Sequence, residues 1–459
     1  MVEYLTSPEP GWFTGWPYWL AHLVVALVKI GLLIQVPAVG ALVFIWMERK
    51  IAGRIQDRLG PTRVGGAFGW LQTLADGIKL IAKEDVTPGD ADRMLFKLAP
   101  YIGFAASFAT LLAIPFSANF VAVDVNVGIF FVLAVLGLEV FSVILAGYAS
   151  GSKWALFGAM REAAQVVSYE VPLGLCVVVP VMICGTMNLT TIGEMQAGGP
   201  QNWLVFHDPF TFVIAIVYFT CATASVNRAP FDLAEAESEL VAGFHTEYSG
   251  LRWSFFFMAE YGSMFVVSAL AAILFFGGWN GPIPVTDILG LHYSNHFLLG
   301  LLGDFLGVNN LLFKSLVGVT VMMWVRWTLP RLRIDQVITT CLKYCVPLAA
   351  VCFVGVIMWQ FANLPSPNDI DGWLIQSYRR DHPGEDGPSY GHLLNPPRSE
   401  IRERWAQELM DKRAEELAAA EEAATVGGED DGGEVSPDEE QAAEDPVGSS
   451  GLVAKGGQQ

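Results

Sequence analysis

The sequence predicts an all-α, polytopic membrane protein with about eight transmembrane helices, cytoplasmic loops that carry amphipathic helices, and an acidic C-terminal tail. Three observations predict it. Of 459 residues, 53% are hydrophobic and only 16% are charged, where an ordinary soluble domain carries about 25% charged residues. Apolar runs of roughly 20 residues, the length that crosses a bilayer as a helix, recur along the chain. They are rich in Leu, Val, Ile and Phe and lack the period-two alternation of a membrane barrel. The net charge of −19 is unevenly placed: residues 1–363 hold 19 Lys/Arg against 24 Asp/Glu, whereas residues 364–459 hold 8 against 22. A soluble enzyme is excluded for most of the length. No dense basic patch exists to neutralise phosphates, which argues against nucleic acid.

The predicted spans are Trp19–Trp46, Leu98–Ala122, Val125–Ala149, Ala163–Thr186, Phe210–Ser225, Trp253–Gly278, Leu311–Leu329 and Thr340–Phe361. No basic stretch precedes the first run, so it reads as a span rather than a cleaved leader. Loop charge orients the set. The segment from Glu48 to Lys97 holds nine Lys/Arg, and Lys153, Arg161, Arg228, Arg252, Arg331 and Arg333 fall in the other connections on that side. Residues 1–18, 123–124, 187–209 and 279–310 hold no Lys or Arg. The basic loops then face the cytoplasm. The N-terminal segment 1–18 lies outside, and an even number of spans returns the C-terminus there. Residues 19–362 form the membrane domain, with a first cytoplasmic loop at 48–97 and an acidic one at 226–252. The tail, 363–459, has one Glu/Ala/Arg/Lys-rich stretch, Ser399–Ala424, that predicts a solvated helix. Its end is Gly/Asp/Glu-rich and reads as disordered.

Within the spans, Lys29, Glu139, Glu170 and Glu260 are ionisable. Each costs about 2.5–3.5 kcal/mol at a helix centre, so such residues face a bundle interior and mark ion or proton routes. Structural glue by a neutral or paired glutamate is the competing reading, and Lys29 either snorkels or pairs with a carboxylate. On the second cytoplasmic loop, Asp232, Glu235 and Glu239 follow an i, i+3, i+7 spacing that gathers them on one helical face, with Glu237 elsewhere and Glu247 close behind. Asp232 and Glu235 could simply cap a helix. Crowded carboxylates also raise one another's pKa and can pass protons. In the first loop, Leu74, Ile78 and Ile81 form an apolar stripe on a predicted interfacial helix within Trp70–Asp85. The arginines before it read as positive-inside anchors, as docking groups for an acidic partner, or as the lining of a polar pocket at the membrane edge. The six cysteines (Cys176, Cys184, Cys221, Cys341, Cys345 and Cys352) form no CxxC pair and read as small buried hydrophobes; no metal site is expected.

Four stretches carry a resemblance. They are Glu48–Arg58 with Gly60-Pro61; Ala75-Asp76-Gly77-Ile78-Lys79 running to Lys83-Glu84-Asp85; Arg161 with Ala164-Gln165 and Ser168-Tyr169-Glu170-Val171; and Arg228-Ala229-Pro230-Phe231-Asp232 through Glu235, Glu237, Glu239-Leu240 and Gly243 to Glu247-Tyr248-Ser249-Gly250. A fifth piece, Pro330-Arg331-Leu332-Arg333 with Asp335-Gln336, agrees. Over roughly residues 15–362 the chain resembles the H-subunit family of bacterial NADH-quinone oxidoreductase, respiratory complex I, whose mitochondrial counterpart is NADH dehydrogenase subunit 1. The resemblance implies quinone as substrate, no covalently bound cofactor, and FMN and iron–sulfur clusters in partner subunits. The implied partners are the peripheral-arm quinone-site subunits, small membrane subunits and lipid. It implies a quinone chamber shaped by Glu48, Arg49, Arg54, Arg58, Asp76 and Phe231. It also implies proton coupling through Glu139, Glu170, Asp232, Glu235, Glu237, Glu239, Glu247 and Glu260. The chain departs from the family at Leu342, where tryptophan is usual, at Glu162, where a small or polar residue is common, and in the acidic tail. Glu162 reads as a loop charge, with an extra proton-holding group as its alternative. The rival assignments are the related subunit of an energy-converting hydrogenase and, more remotely, a stand-alone cation/proton antiporter. The second is disfavoured because no internal repeat runs along the spans.

Overall fold

A backbone in hydrocarbon must close its hydrogen bonds internally, and a single apolar segment does so as a helix. The computed structural model describes residues 17–233, 241–282 and 297–361, and these are helical with no strand among them. In chain order the helices are α1 (Tyr18–Ile55), α2 (Gln72–Ala82), α3 (Arg93–Thr110), α4 (Gly128–Ala149), α5 (Lys153–Cys184), α6 (Leu189–Met195), α7 (Pro209–Ser225), α8 (Gly250–Phe275), α9 (Phe297–Thr328), α10 (Ile334–Thr339) and α11 (Val346–Phe361). The last two are joined through a π-helical turn, Thr340–Cys345.

Six of the described helical segments are long and apolar enough to cross a membrane: α1, α4, α5, α8, α9 and the continuous stretch Ile334–Phe361. The remaining two predicted spans correspond to shorter helices. One is α7, with 17 residues. The other is α3, which starts earlier than the apolar pattern suggests. The Asp92 carboxylate caps it, accepting from the amides of Met94 at 3.1 Å and Leu95 at 3.4 Å. It ends at Thr110 rather than Ala122. The last dozen residues of that apolar run form an irregular connection whose Leu111, Ile114 and Phe116 are buried against the core.

The expected loop boundaries also shift, because helices continue past the apolar sequence. With 38 residues at a rise of 1.5 Å, α1 is about 57 Å long. That is nearly twice a bilayer core of about 30 Å, so Glu48, Arg49 and Arg54 are helical. The helix expected in the first loop is α2, and its Leu74, Ile78 and Ile81 are exposed, Ile81 at the rim of a cavity. Residues 362–459, including Ser399–Ala424, lie outside the described residues. All six cysteines are buried free thiols.

Helix α8 is the axis of the bundle. In its most apolar window 83% of residues are buried, against 18–50% for the other five candidate spans. It packs against α1, α3, α7 and α9. Phe265 on α8 stacks between Phe44 of α1, 6.1 Å away, and Phe116, 6.5 Å away. Helix α5 packs between α4 and α7 and also meets α11.

The C-terminal end of α8 is closed by two polar side chains. Gln196, fully buried, donates to the carbonyl of Ile273 at 2.7 Å and accepts from the amides of Leu204 and Gly277. Lys314 of α9 donates to the carbonyls of Phe276 at 2.6 Å, Gly278 at 2.9 Å and Asn280 at 2.5 Å, over the Trp203 ring. A cation satisfying helix-end carbonyls is favourable twice, by hydrogen bonding and by the helix dipole. Lys314→Met should therefore cost about 2–3 kcal/mol, the scale of a charged hydrogen-bond group lost from a buried site. The thermal midpoint of the detergent-solubilised protein checks it, and an unchanged midpoint would refute the capping role.

Candidate functional site: a charge cluster between two cavities

Glu48 sits in the last third of α1, inside the protein and only 5% exposed. A carboxylate there requires counter-charge, and three residues distant in sequence supply contacts. The Arg228 guanidinium approaches it at 3.2 Å, Arg326 of α9 at 2.5 Å, and the Tyr261 hydroxyl of α8 donates to it. Arg228 is itself 2% exposed; it pairs through Nε with Glu260 of α8 at 2.8 Å and lies over the Tyr261 ring, 4.3 Å from its centroid. Burial works against the Arg228 charge, but Glu260, Tyr261 and Glu48 outweigh it and hold its pKa above the usual guanidinium range. The result is a line, Glu48–Arg228–Glu260, with one permanent cation between a buried and a partly buried carboxylate.

Each end of the line opens on a cavity. The larger, of about 950 Å³, lies between α1, α2 and α8 and reaches Arg326 and Trp327 of α9. Its polar part carries Glu48, Arg49, Arg58, Asp76, Lys79 and Tyr261; its apolar wall carries Ala38, Ala41, Leu42, Ile45, Phe257 and Met258. Arg49 pairs with Asp76, which fastens α2 across α1. A pocket apolar along one wall and charged at the other end suits a molecule with a greasy tail and a polar head.

The smaller cavity, of about 60 Å³, lies between α3, α4, α5 and α8 and is lined by Glu139, Glu162, Glu260, Ser142, Asn227 and His245, with apolar neighbours. Ser263 donates to Glu139, and Asn227 donates to Glu162. Its wall depends on a close helix–loop approach. A Cβ on Gly158 of α5 would stand 2.9 Å from the Cα of Gly243. Gly243 has φ +56°, which favours glycine. That contact sets Phe244 and His245 against the cavity.

Of the expected chamber residues, Glu48, Arg49, Arg58 and Asp76 share the large cavity. Arg54 does not line it; it lies exposed in the last turn of α1. Phe231 does not line it either; it is buried with its ring 5.4 Å from that of Tyr169. Of the expected proton-coupling residues, Glu139 and Glu260 share the small cavity. Glu170 is exposed on α5, with its carboxylate beside Gly137 of α4. Asp232 pairs with Arg331 at 2.9 Å, tying its loop to the segment after α9, and Glu247 is half-buried before α8. Glu235, Glu237 and Glu239 lie outside the described residues. Lys29 donates to the carbonyl of Val121 at 2.9 Å.

Sequence reasoning missed four members, among them Arg228, which carried a loop charge and a place in a matching stretch but no site role. Tyr261 gave no signal. Arg326 gave one, a basic residue inside an apolar run, but reads as an edge charge. Glu162 is a correction: it is not a loop charge but part of α5, 4% exposed. The helix begins at Lys153, ten residues before the apolar pattern does.

A family model described as NADH dehydrogenase matches residues 28–357. The chain is 43% identical over 375 residues to the H-subunit of NADH-quinone oxidoreductase from Anaeromyxobacter dehalogenans, covering 80% of this chain and 88% of that protein. It is 44% identical over 317 residues to the H-subunit from Chlorobium luteolum, covering 69% and 83%. It is 42% identical over 352 residues to the one from Chlorobaculum tepidum, covering 76% and 95%.

Proposed function

We propose, because the chain belongs to the NADH dehydrogenase family, that it is a membrane subunit of a proton-pumping NADH-quinone oxidoreductase in a bacterial plasma membrane. In this reading the large cavity admits quinone, ubiquinone or menaquinone, and the line Glu48–Arg228–Glu260 couples its reduction to proton movement. The single observation that carries the reading is that line, because it joins an amphiphile-sized cavity to a small inner cavity lined by carboxylates. FMN and iron–sulfur clusters belong to partner subunits of the peripheral arm, and small membrane subunits complete the membrane side. The basic loops face the cytoplasm, the N-terminus and tail face outside, and the exposed α2 stripe rests on the membrane surface.

The chemistry follows from charge. Reduction of a quinone takes up two electrons and draws two protons. Charge change beside Glu48 is felt along the line, since two unit charges about 4 Å apart interact by about 4 kcal/mol at an effective dielectric of about 20. Arg228 cannot deprotonate, so it redistributes between Glu48 and Glu260 rather than quenching the signal. Glu260 passes the change to the small cavity, where Glu139 exchanges protons. The apolar wall excludes water from the tail side, while Arg49 and Asp76 hold the mouth in shape.

The test is the assembled complex carrying Glu260→Gln or Glu139→Gln, reconstituted into liposomes. NADH-driven proton uptake should fall at least tenfold in each and quinone reductase by a smaller factor, so that protons moved per NADH oxidised also fall, with NADH-to-ferricyanide transfer retained. Normal pumping in both variants would refute the coupling.

A further inference from the structure

We infer that Glu162 is a third proton-holding carboxylate of the small cavity, acting with Glu139 and Glu260. The inference rests on the coupling proposed above and adds a residue to it. Glu162 lies one helical turn inside the wall that Gly158 presses onto the loop, and it is almost completely buried. Its Oε1 accepts from the Asn227 side chain. Asn227 is held in turn by Gln165, whose Nε2 donates to the Asn227 Oδ1 at 3.0 Å and to the carbonyl of Ala224 at 2.8 Å. The fully buried Gln165 thus fixes Asn227, and Asn227 fixes the carboxyl against the cavity.

Two considerations separate proton handling from scaffolding. The cavity, at about 60 Å³, is several times the ~10–15 Å³ that one water needs, and it has the polar partners that keep water in place. Glu162 therefore shares exchangeable solvent with Glu139 and Glu260. A purely structural acceptor for Asn227 has no need of a carboxyl, because a glutamine oxygen accepts the same bond without the cost of a buried ionisable group. Among the described residues, the other ionisable groups facing the cavity are Glu139 from α4, Glu260 from α8 and His245 from the loop; Arg228 lies behind Glu260.

The discriminating set is Glu162→Gln, Glu162→Asp and Glu139→Gln in the whole complex, assayed in liposomes for protons moved per NADH oxidised. We expect Glu162→Gln to lower that ratio at least threefold and Glu162→Asp to restore more than half of it. A normal ratio in Glu162→Gln alongside a loss in Glu139→Gln overturns the role of Glu162 and leaves the coupling standing. Normal ratios in both overturn the coupling itself. If Glu162→Gln fails to assemble, redox-difference infrared spectra of the wild type and Glu162→Asp read the same proton. A carboxyl band that shifts between them supports the proposal, and one that does not move overturns it.

Discussion

Replacing Arg228 with alanine is expected to abolish NADH-to-quinone electron transfer while transfer to ferricyanide, which needs only the peripheral arm, survives. The substitution leaves Glu48, buried, and Glu260, partly buried, without the cation between them. Removing one partner of a buried ion pair costs about 3–5 kcal/mol, a cost that Arg326, still paired with Glu48, reduces on that side. If that cost fell wholly on the active arrangement, activity would fall by more than two orders of magnitude. Arg228→Lys should be intermediate, because a single ammonium lacks the planar fork that meets both carboxylates from different edges. Arg228→Ala combined with Glu260→Gln should recover assembly but not activity, since it removes a carboxylate that faced the lost cation without restoring the line. The measurement is paired activity on membranes where the amount of assembled complex is quantified. Quinone reductase above half of wild type in Arg228→Ala would sink the cluster as a functional element.

The second large effect concerns the wall of the big cavity. Ala41 of α1 is buried and lines it beside Leu42 and Ile45. Ala41→Trp puts an indole into the space proposed for a quinone tail. Reduction of a long-tailed quinone should fall at least tenfold, whereas a quinone with a short tail should lose less than threefold. A merely overpacked site, which costs about 1–3 kcal/mol, would slow both alike and lower thermal stability. The ratio of the two activities is thus the readout. Equal loss with both substrates would mean that the cavity is not the tail's path.

Much of this was legible in the residues, and the gaps have identifiable causes. The all-helical membrane fold follows from apolar runs and loop charge. The set Glu48, Arg49, Arg58 and Asp76 was implied by the family resemblance, which also named Arg54 and Phe231, and those two do not line the cavity. Pairing was not legible. Arg228 meets Glu48 across 180 residues and Arg326 meets it across 278, and nothing local encodes which distant charges converge. Helix ends were misjudged where polarity was taken for a loop. Lys153 and Arg161 look like a connection, yet the helix runs on through them, and that hid Glu162. The reverse error occurred after Thr110, where apolar residues are buried against protein rather than spanning.

Helix α8 also has a mechanical consequence. Tyr261 and Glu260 are successive residues of one rigid element, yet the first lines the large cavity and the second the small one. The helix is a partition one side chain thick, shared like a wall between two rooms. A tightly packed interior transmits displacement instead of absorbing it. Whatever wedges Tyr261 aside would therefore drag the peptide that carries Glu260, so under the proposed function arrival of an occupant would be registered on the far side before any electron moves.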